Sequence, residues 1–179
     1  LCSLVEHRRV VVRSAYSCGK TFVAADALLW WRFSFPESVV LSIAPTIRQV
    51  EKALWHEVRR SHAAARYTLG GELLLKELKI KPGWFALGFT ADDPQKFQGI
   101  KSEHMRVIMD EACGIKPDIW MAVESALGGV HPRLLAIGNP ASANTCFGEE
   151  FRRAGAKKIC ISVFDTPNLA GAGITLDDI

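Results

Sequence analysis

Val10-Val11-Val12-Arg13-Ser14-Ala15-Tyr16-Ser17-Cys18-Gly19-Lys20-Thr21 is the stretch whose reading decides the fold. Arg9 to Val12 is a short β-branched run and reads as a strand. Lys20 to Arg32 is almost wholly apolar, free of Gly and Pro, and reads as a buried helix. The segment between them ends in Gly-Lys-Thr. It fits the phosphate-loop pattern G-x-x-x-x-G-K-[ST] except at its first glycine, where Ser14 stands. Each part has a physical reason. N–H groups at a helix start point outward, and the helix dipole favours an anion there. Lys20 would neutralise terminal phosphates, the Thr21 hydroxyl would hold a metal ion, and Gly19 permits a tight turn. The loop residues Ser14, Ala15, Tyr16, Ser17, Cys18, Gly19, Lys20 and Thr21 are the candidate nucleotide cradle. A chance Gly-Lys-Thr is the competing reading, and the flanking strand and helix weigh against it. Cys18 at the positive helix end has a lowered thiol pKa in one reading and is simply a small residue that fits in the other.

Composition bounds the rest. The chain has 179 residues and 19.7 kDa, enough for one well-buried domain. Hydrophobic residues are 49% and charged residues 23%, an ordinary globular mix that argues against disorder. A formal charge of +3 neither demands nor opposes a nucleic-acid partner. No apolar run approaches the roughly 18 residues of a membrane helix. The five cysteines form no C-x-x-C pair, and the five histidines lack ligand spacing. A disulfide framework and a zinc site are therefore poor readings, and a reducing cytoplasm fits better. The chain opens on Leu1 without a signal-peptide pattern, as expected of a fragment or excised domain.

Strand and helix patterns alternate along the chain. Val39 to Ile43, Arg106 to Met109, Leu134 to Ile137 and Ile159 to Val163 read as strands. Ile47 to Arg60 reads as one amphipathic helix, with Ile47, Val50, Leu54 and Val58 on one face and Arg48, Lys52, Arg59 and Arg60 on the other. Leu73 to Ile80 and Trp84 to Phe89 flank Lys81-Pro82-Gly83 and suit a hairpin. Pro117 to Leu127 suits a helix with Pro in its first turn. The expected architecture is an α/β doubly wound domain with a mostly parallel sheet. In such sheets ligands sit beyond the carboxyl ends of the strands.

Two further strand ends carry unusual residues. Val107-Ile108-Met109-Asp110-Glu111-Ala112 ends in adjacent carboxylates, about 90 residues after the loop. Asp110 at the strand tip suits a Mg²⁺ site. Glu111 would point to the other side and polarise a water for attack on a γ-phosphate, which favours hydrolysis over transfer to a substrate. Two ordinary surface acids are the alternative. Leu134-Leu135-Ala136-Ile137-Gly138-Asn139-Pro140 ends in a short polar side chain that can sense a γ-phosphate and pass the signal on. Asn-Pro is also a common turn dipeptide.

A family resemblance emerges from the set. Ser42-Ile43-Ala44-Pro45-Thr46-Ile47-Arg48-Gln49-Val50, Phe97-Gln98-Gly99-Ile100, Asp110-Glu111-Ala112, Gly138-Asn139-Pro140 and Phe164-Asp165-Thr166-Pro167-Asn168 follow the phosphate loop in that order. Together they resemble the ATPase domain of the large terminase subunit of tailed bacteriophages, over roughly Val5 to Asn168. The resemblance implies a RecA-like P-loop NTPase fold, with a mostly parallel sheet and helices on both faces. The Gly138-Asn139-Pro140 strand would lie between the strands carrying Lys20 and Asp110. It implies that Lys20 and Thr21 bind MgATP, Asp110 supports the metal and Glu111 is the catalytic carboxylate. Arg13 matches an arginine found in or beside the family's phosphate loop. It would stabilise transition-state charge or couple ATP binding to motion; a salt bridge near the loop is its alternative. Gly138 and Asn139 would be the coupling motif. Arg48 and Gln49 would face DNA or sense nucleotide, or else lie on a solvated helix face.

The expected domain spans residues 1–168, with residues 169–179 starting a linker. The family's nuclease domain and an adenine-contacting segment are expected to lie outside this sequence, so no nuclease activity is expected of it. Asp165 would belong to the last strand, and Asp177 and Asp178 to the linker. The implied partners are double-stranded DNA, a small terminase subunit and a portal ring, in the host cytoplasm and without a membrane. Isolated domains of this kind are often monomeric, and the sequence does not fix the oligomeric state. Two other readings remain at this point: a helicase-like ATPase and an inactive prophage remnant.

Overall fold

The computed structural model describes residues 2–92, 99–140 and 142–166. The quoted motifs Phe97-Gln98 and Pro167-Asn168, and the expected linker with Asp177 and Asp178, lie outside these residues. The described residues form an eight-stranded sheet. A short helix, α1 (Cys2–Glu6), leads into β1 (Arg9–Ser14). The phosphate-loop segment follows, then α2 (Lys20–Ser34) and β2 (Val39–Ala44). The chain continues through a π-helical turn (Gln49–Leu54), α3 (Trp55–Ala63), β3 (Glu72–Leu73), β4 (Glu77–Lys81) and β5 (Trp84–Thr90). The last elements are β6 (Met105–Met109), α4 (Pro117–Ala126), β7 (Arg133–Gly138), α5 (Cys146–Arg152) and β8 (Lys157–Ile161).

The strand order is β3-β4-β5-β2-β6-β7-β1-β8. The pairs from β5 through β8 are parallel, while β3–β4 and β4–β5 are antiparallel. Parallel strands are covered on both faces, which explains why these strands are Val- and Ile-rich without polar alternation. Successive residues enter opposite cores. Val10, Ile108, Leu135 and Ile137 pack with α2 and α3, whereas Val11, Val107, Met109, Leu134 and Ala136 pack with α4 and Phe147 of α5. Ala24, Ala25 and Ala27 of α2 are fully buried, and their small side chains let the helix lie close on the sheet. As the resemblance implied, β7 lies between β6, which leads to Asp110, and β1, which leads into the loop before Lys20.

Several elements depart from the sequence expectations. Ile47 to Arg60 is not one α-helix: its first part is π-helical. The wider turn puts Val50, Leu54, Trp55 and Val58 in the core and leaves Ile47 exposed. A π-turn is rare and needs tertiary support. Here Trp55 Nε1 donates to the buried Ser42 hydroxyl on β2 at 2.9 Å. The expected strand Leu73 to Ile80 is split into β3 and β4; β4 pairs with β5 across Pro82-Gly83, where Gly83 takes a left-handed φ of 77°. The last strand ends at Ile161, two residues earlier than expected. Asp165 accordingly is not on that strand. It sits in a 3₁₀ turn (Val163–Asp165) and accepts from the Ser162 N–H at 2.8 Å. The helices α1 and α5 were not anticipated; α5 starts at the cap Thr145, whose hydroxyl accepts from Gly148 N–H at 3.1 Å.

Gly88 on β5 has no room for a side chain. A methyl group there would overlap Trp55 Nε1 and come within 2.8 Å of Val50 Cγ1. Gly88→Ala is expected to destabilise the fold by about 1–3 kcal/mol, as overpacking does. A urea unfolding midpoint unchanged by the substitution would show that the Trp55 seat is not packed in this way.

Candidate active site

Strand parity explains which polar residues meet above the sheet. Asn139 continues the alternation of Leu135 and Ile137, and Asp110 that of Ile108, so both project toward the α2 side. Ser14 shares the parity of Val10 and Val12, which also pack toward α2. Three strand ends thus converge on the start of α2.

Gly19 has φ 79° and Ser17 φ 56°, so the chain passes through two left-handed residues just before the helix. Nothing lies within 4 Å of a Cβ built at Gly19, so its conformation and not crowding by the chain makes glycine the natural residue there. The loop is tied to the sheet edge by Ala15 N–H donating to Ile161 O at 3.1 Å. Ser14, at the place of the missing glycine, is buried, and its hydroxyl lies 3.2 Å from Cys18 Sγ. Cys18 also donates to Ala15 O at 3.2 Å. The thiol is thereby built into the loop's own bonding, in line with the structural reading of this cysteine.

Lys20 folds back under the loop. Its Nζ donates to Ala15 O at 2.6 Å and to Asn139 Oδ1 at 2.8 Å, and the residue is only 9% exposed. Asn139 therefore touches the phosphate-loop lysine directly. Gly138, one residue earlier, leaves little space: a Cβ there would stand 3.3 Å from Ala112 N and Cys113 N, in the turn after the two acids.

The acidic pair faces the same place. Thr21 Oγ1 donates to Asp110 Oδ2 at 3.3 Å, and Asp110 Oδ1 accepts from Glu111 N–H at 3.1 Å. Asp110 is buried, and its pKa is pushed up to about 6, first by burial and then by the Glu111 charge; Thr21, the Glu111 N–H and Lys20 oppose the rise. Glu111 takes a left-handed φ of 51°. Strand alternation would carry it to the opposite face. The turned backbone instead sets it on the wall of a cavity of about 290 Å³, together with residues 16–22 of the loop.

Not every expected site residue joins this group. Arg13 has the parity of Val11 and lies on the other face of the sheet. Its guanidinium carbon stands 4.6 Å from the Phe151 ring centroid on α5, and Nη2 is 3.5 Å from Cys160 Sγ. Gln49 is engaged locally: its side-chain oxygen accepts from Thr46 N–H at 3.0 Å and from the Thr46 hydroxyl at 2.8 Å. Arg48 is exposed and borders an open basin with Lys52 and Thr46. Glu57 and Arg60 of α3 complete the cavity wall; the sequence places Arg60 only on the polar face of its helix, and neither residue among the site candidates. Their signal was only an acid and a base three residues apart on a polar helix face, a pattern that solvated helices share.

A Mg²⁺ ion needs few protein ligands when a nucleotide supplies phosphate oxygens. The donor set of Thr21 hydroxyl and Asp110 carboxylate, side by side and of oxygen only, fits that requirement. No group of three or more His, Cys, Asp or Glu able to hold a metal occurs among the described residues, so a metal cage built wholly by protein is not present among them. No helix of the described residues is long and apolar enough to cross a membrane.

Comparison with protein families and with curated proteins finds no match. Solved structures do match. The large terminase of a thermophilic bacteriophage superposes with a TM-score of 0.75 at 14% identity, over 97% of this chain and 44% of that one. The large terminase ATPase domain of Thermus phage P74-26 superposes with a TM-score of 0.73 at 21% identity, over 89% of this chain and 77% of that domain. The first of these proteins is also known in complex with ADP, where the TM-score is 0.73 at 14% identity over 98% of this chain and 44% of that one. The chain therefore spans less than half the length of that protein. With its strand–loop–helix and mostly parallel sheet, and on these superpositions, this chain has the α/β P-loop fold of phage large-terminase ATPase domains.

Proposed function

We propose that this chain is a magnesium-dependent, DNA-stimulated ATPase that powers movement of double-stranded DNA into a viral procapsid. The observation that carries the reading is the meeting of Lys20, Thr21, Asp110 and Asn139 above the sheet, with Lys20 buried and Thr21 on Asp110. Residues 14–21 would wrap the phosphates, the loop N–H groups and the start of α2 supplying the positive end. Thr21 and Asp110 would hold Mg²⁺, which when bound neutralises charge on the phosphate oxygens. Glu111, on the cavity wall, would orient a water and take its proton as it attacks the γ-phosphorus. Asn139 would report through Lys20 whether the terminal phosphate is present, and Gly138-Asn139 would pass that state along β7. Arg13, stacked on Phe151, suits coupling between the loop strand and α5 better than direct contact with phosphate. Its place on the other face of the sheet favours motion over charge stabilisation as its role.

The structurally similar proteins are phage terminases, one solved with ADP, and that supports ATP as the nucleotide and duplex DNA as the track. The small terminase subunit and portal ring are proposed partners on the same ground, with the host cytoplasm as the place of action. Arg48 and Lys52 offer exposed positive charge for sequence-independent phosphate contacts.

Magnesium-dependent phosphate release in the presence of duplex DNA tests the reading. Lys20→Ala is expected to lower turnover by about 10²-fold or more, the scale for losing one preorganised donor. Glu111→Gln should keep nucleotide binding and lose about 10²–10⁴-fold in turnover. Absence of any magnesium-dependent turnover in the wild type would refute the motor. Unwinding of a duplex by the protein would point to a helicase instead.

The raised Asp110 pKa makes a second prediction. Between about pH 4 and pH 6 the folded protein keeps a proton on Asp110 that the unfolded chain has released. Metal-free stability from this group is therefore highest at low pH and falls as pH rises through that window. Asp110→Asn removes this slope. Its stability relative to wild type should increase by on the order of 2 kcal/mol from pH 4 to pH 7 in magnesium-free urea titrations. Parallel stability profiles for the two proteins would show that Asp110 is not penalised by burial.

A further inference from the structure

Lys20 has few free donors to offer a triphosphate, even with a metal ion beside it. An ammonium has three donors, and in this structure two of them are committed to Ala15 O and Asn139 Oδ1. The remaining wall of the cavity carries a second cation, Arg60, which comes from α3. Arg60 Nη2 lies 2.6 Å from Glu57 Oε2, three residues earlier on the same helix. The contact is electrostatic without hydrogen-bond alignment, because Glu57 Oε2 is buried and receives no aligned donor. The guanidinium carbon also stands 5.8 Å from the centroid of Phe22, the residue that follows Lys20-Thr21 in the first turn of α2. Phe22 is 45% exposed, so its ring offers the guanidinium an accessible face.

An exposed ion pair between residues three apart contributes little to stability by itself. The position of this one is what matters. Its arginine side chain is 61% exposed and is held at the cavity mouth by Glu57 on one side and the Phe22 ring on the other. A planar guanidinium with five donors suits phosphate oxygens and is well placed to exchange a poorly aligned carboxylate for them. Resting on the nucleotide site proposed above, we infer that Arg60 is the second cation of that site: it binds the terminal phosphate of a nucleoside triphosphate and leaves Glu57 when it does so. A nucleoside diphosphate lacks the group Arg60 reaches. α3 follows β2 and the π-helical turn, so this exchange gives the helix a contact that depends on the nucleotide state.

Binding of ATP-γ-S and of ADP, measured by titration calorimetry with magnesium, separates the possibilities. Arg60→Ala is expected to weaken ATP-γ-S by about ten-fold while changing ADP by less than about two-fold, the scale of one charge-assisted contact. Arg60→Lys should recover part of the loss. Glu57→Gln, which frees Arg60 without removing it, should hold or strengthen the preference for ATP-γ-S. An ATP-γ-S to ADP ratio unchanged by Arg60→Ala, in a wild type that binds both, overturns the role of Arg60 and leaves the nucleotide site standing. A preference reduced by Glu57→Gln also overturns it. A wild type that binds neither nucleotide overturns the site itself and this inference with it.

Discussion

The structure turns on one buried charge. Lys20 Nζ is lodged between Ala15 O of its own loop and Asn139 Oδ1 at the end of β7. A buried ammonium is costly unless every side of it is satisfied. The loop conformation, with left-handed Ser17 and Gly19, brings one acceptor to it, and the sheet register brings the other. β1 and β7 are adjacent and parallel, with Val12 beside Ile137 and Arg13 beside Gly138, so Asn139 emerges level with the start of the loop. Moving β7 to another place in the sheet would leave Lys20 without its side-chain partner.

The opposite wall is held by a cost of the same kind. Asp110 is buried beside a second carboxylate, and among the described residues Thr21 is the side-chain hydroxyl that donates to it. That is an unfavourable position for an isolated acid and a reasonable one for an acid that shares a divalent cation. The left-handed Glu111 backbone adds strain at the same point and turns its carboxylate into the cavity. Backbone strain and buried charge brought together beside a cavity suit a site built for a charged ligand.

Much of this was legible in the sequence. The strand–loop–helix from Arg9 to Ser34 and the two acids after Met109 needed only periodicity and residue type. The place of β7 between its neighbours came from the resemblance, since spacing alone does not order strands. The direction of Arg13 is readable from strand alternation: it lies between Val12 and Ser14, so it leaves the sheet on the face away from α2. The rest depended on tertiary contacts. The π-helical turn at Gln49–Leu54 is held by Trp55 reaching Ser42 across 13 residues, which local propensity cannot report. The α5 helix lies after a Gly-Asn-Pro turn in a Ser-, Ala- and Asn-rich stretch, and its signal is one capping threonine. Glu57 and Arg60 join the cavity only because α3 packs against α2, bringing Arg60 over Phe22.

The central claim is that residues 14–21 and the pair Asp110–Glu111 grip one phosphate group through one metal ion. Anomalous diffraction from crystals grown with Mn²⁺ and a non-hydrolysable ATP analogue tests it most directly. The account predicts a single strong peak bound by the Thr21 hydroxyl, near Asp110, with the terminal phosphate between Lys20 and Glu111. A nucleotide bound elsewhere, or a metal peak away from Thr21 and Asp110, would contradict it.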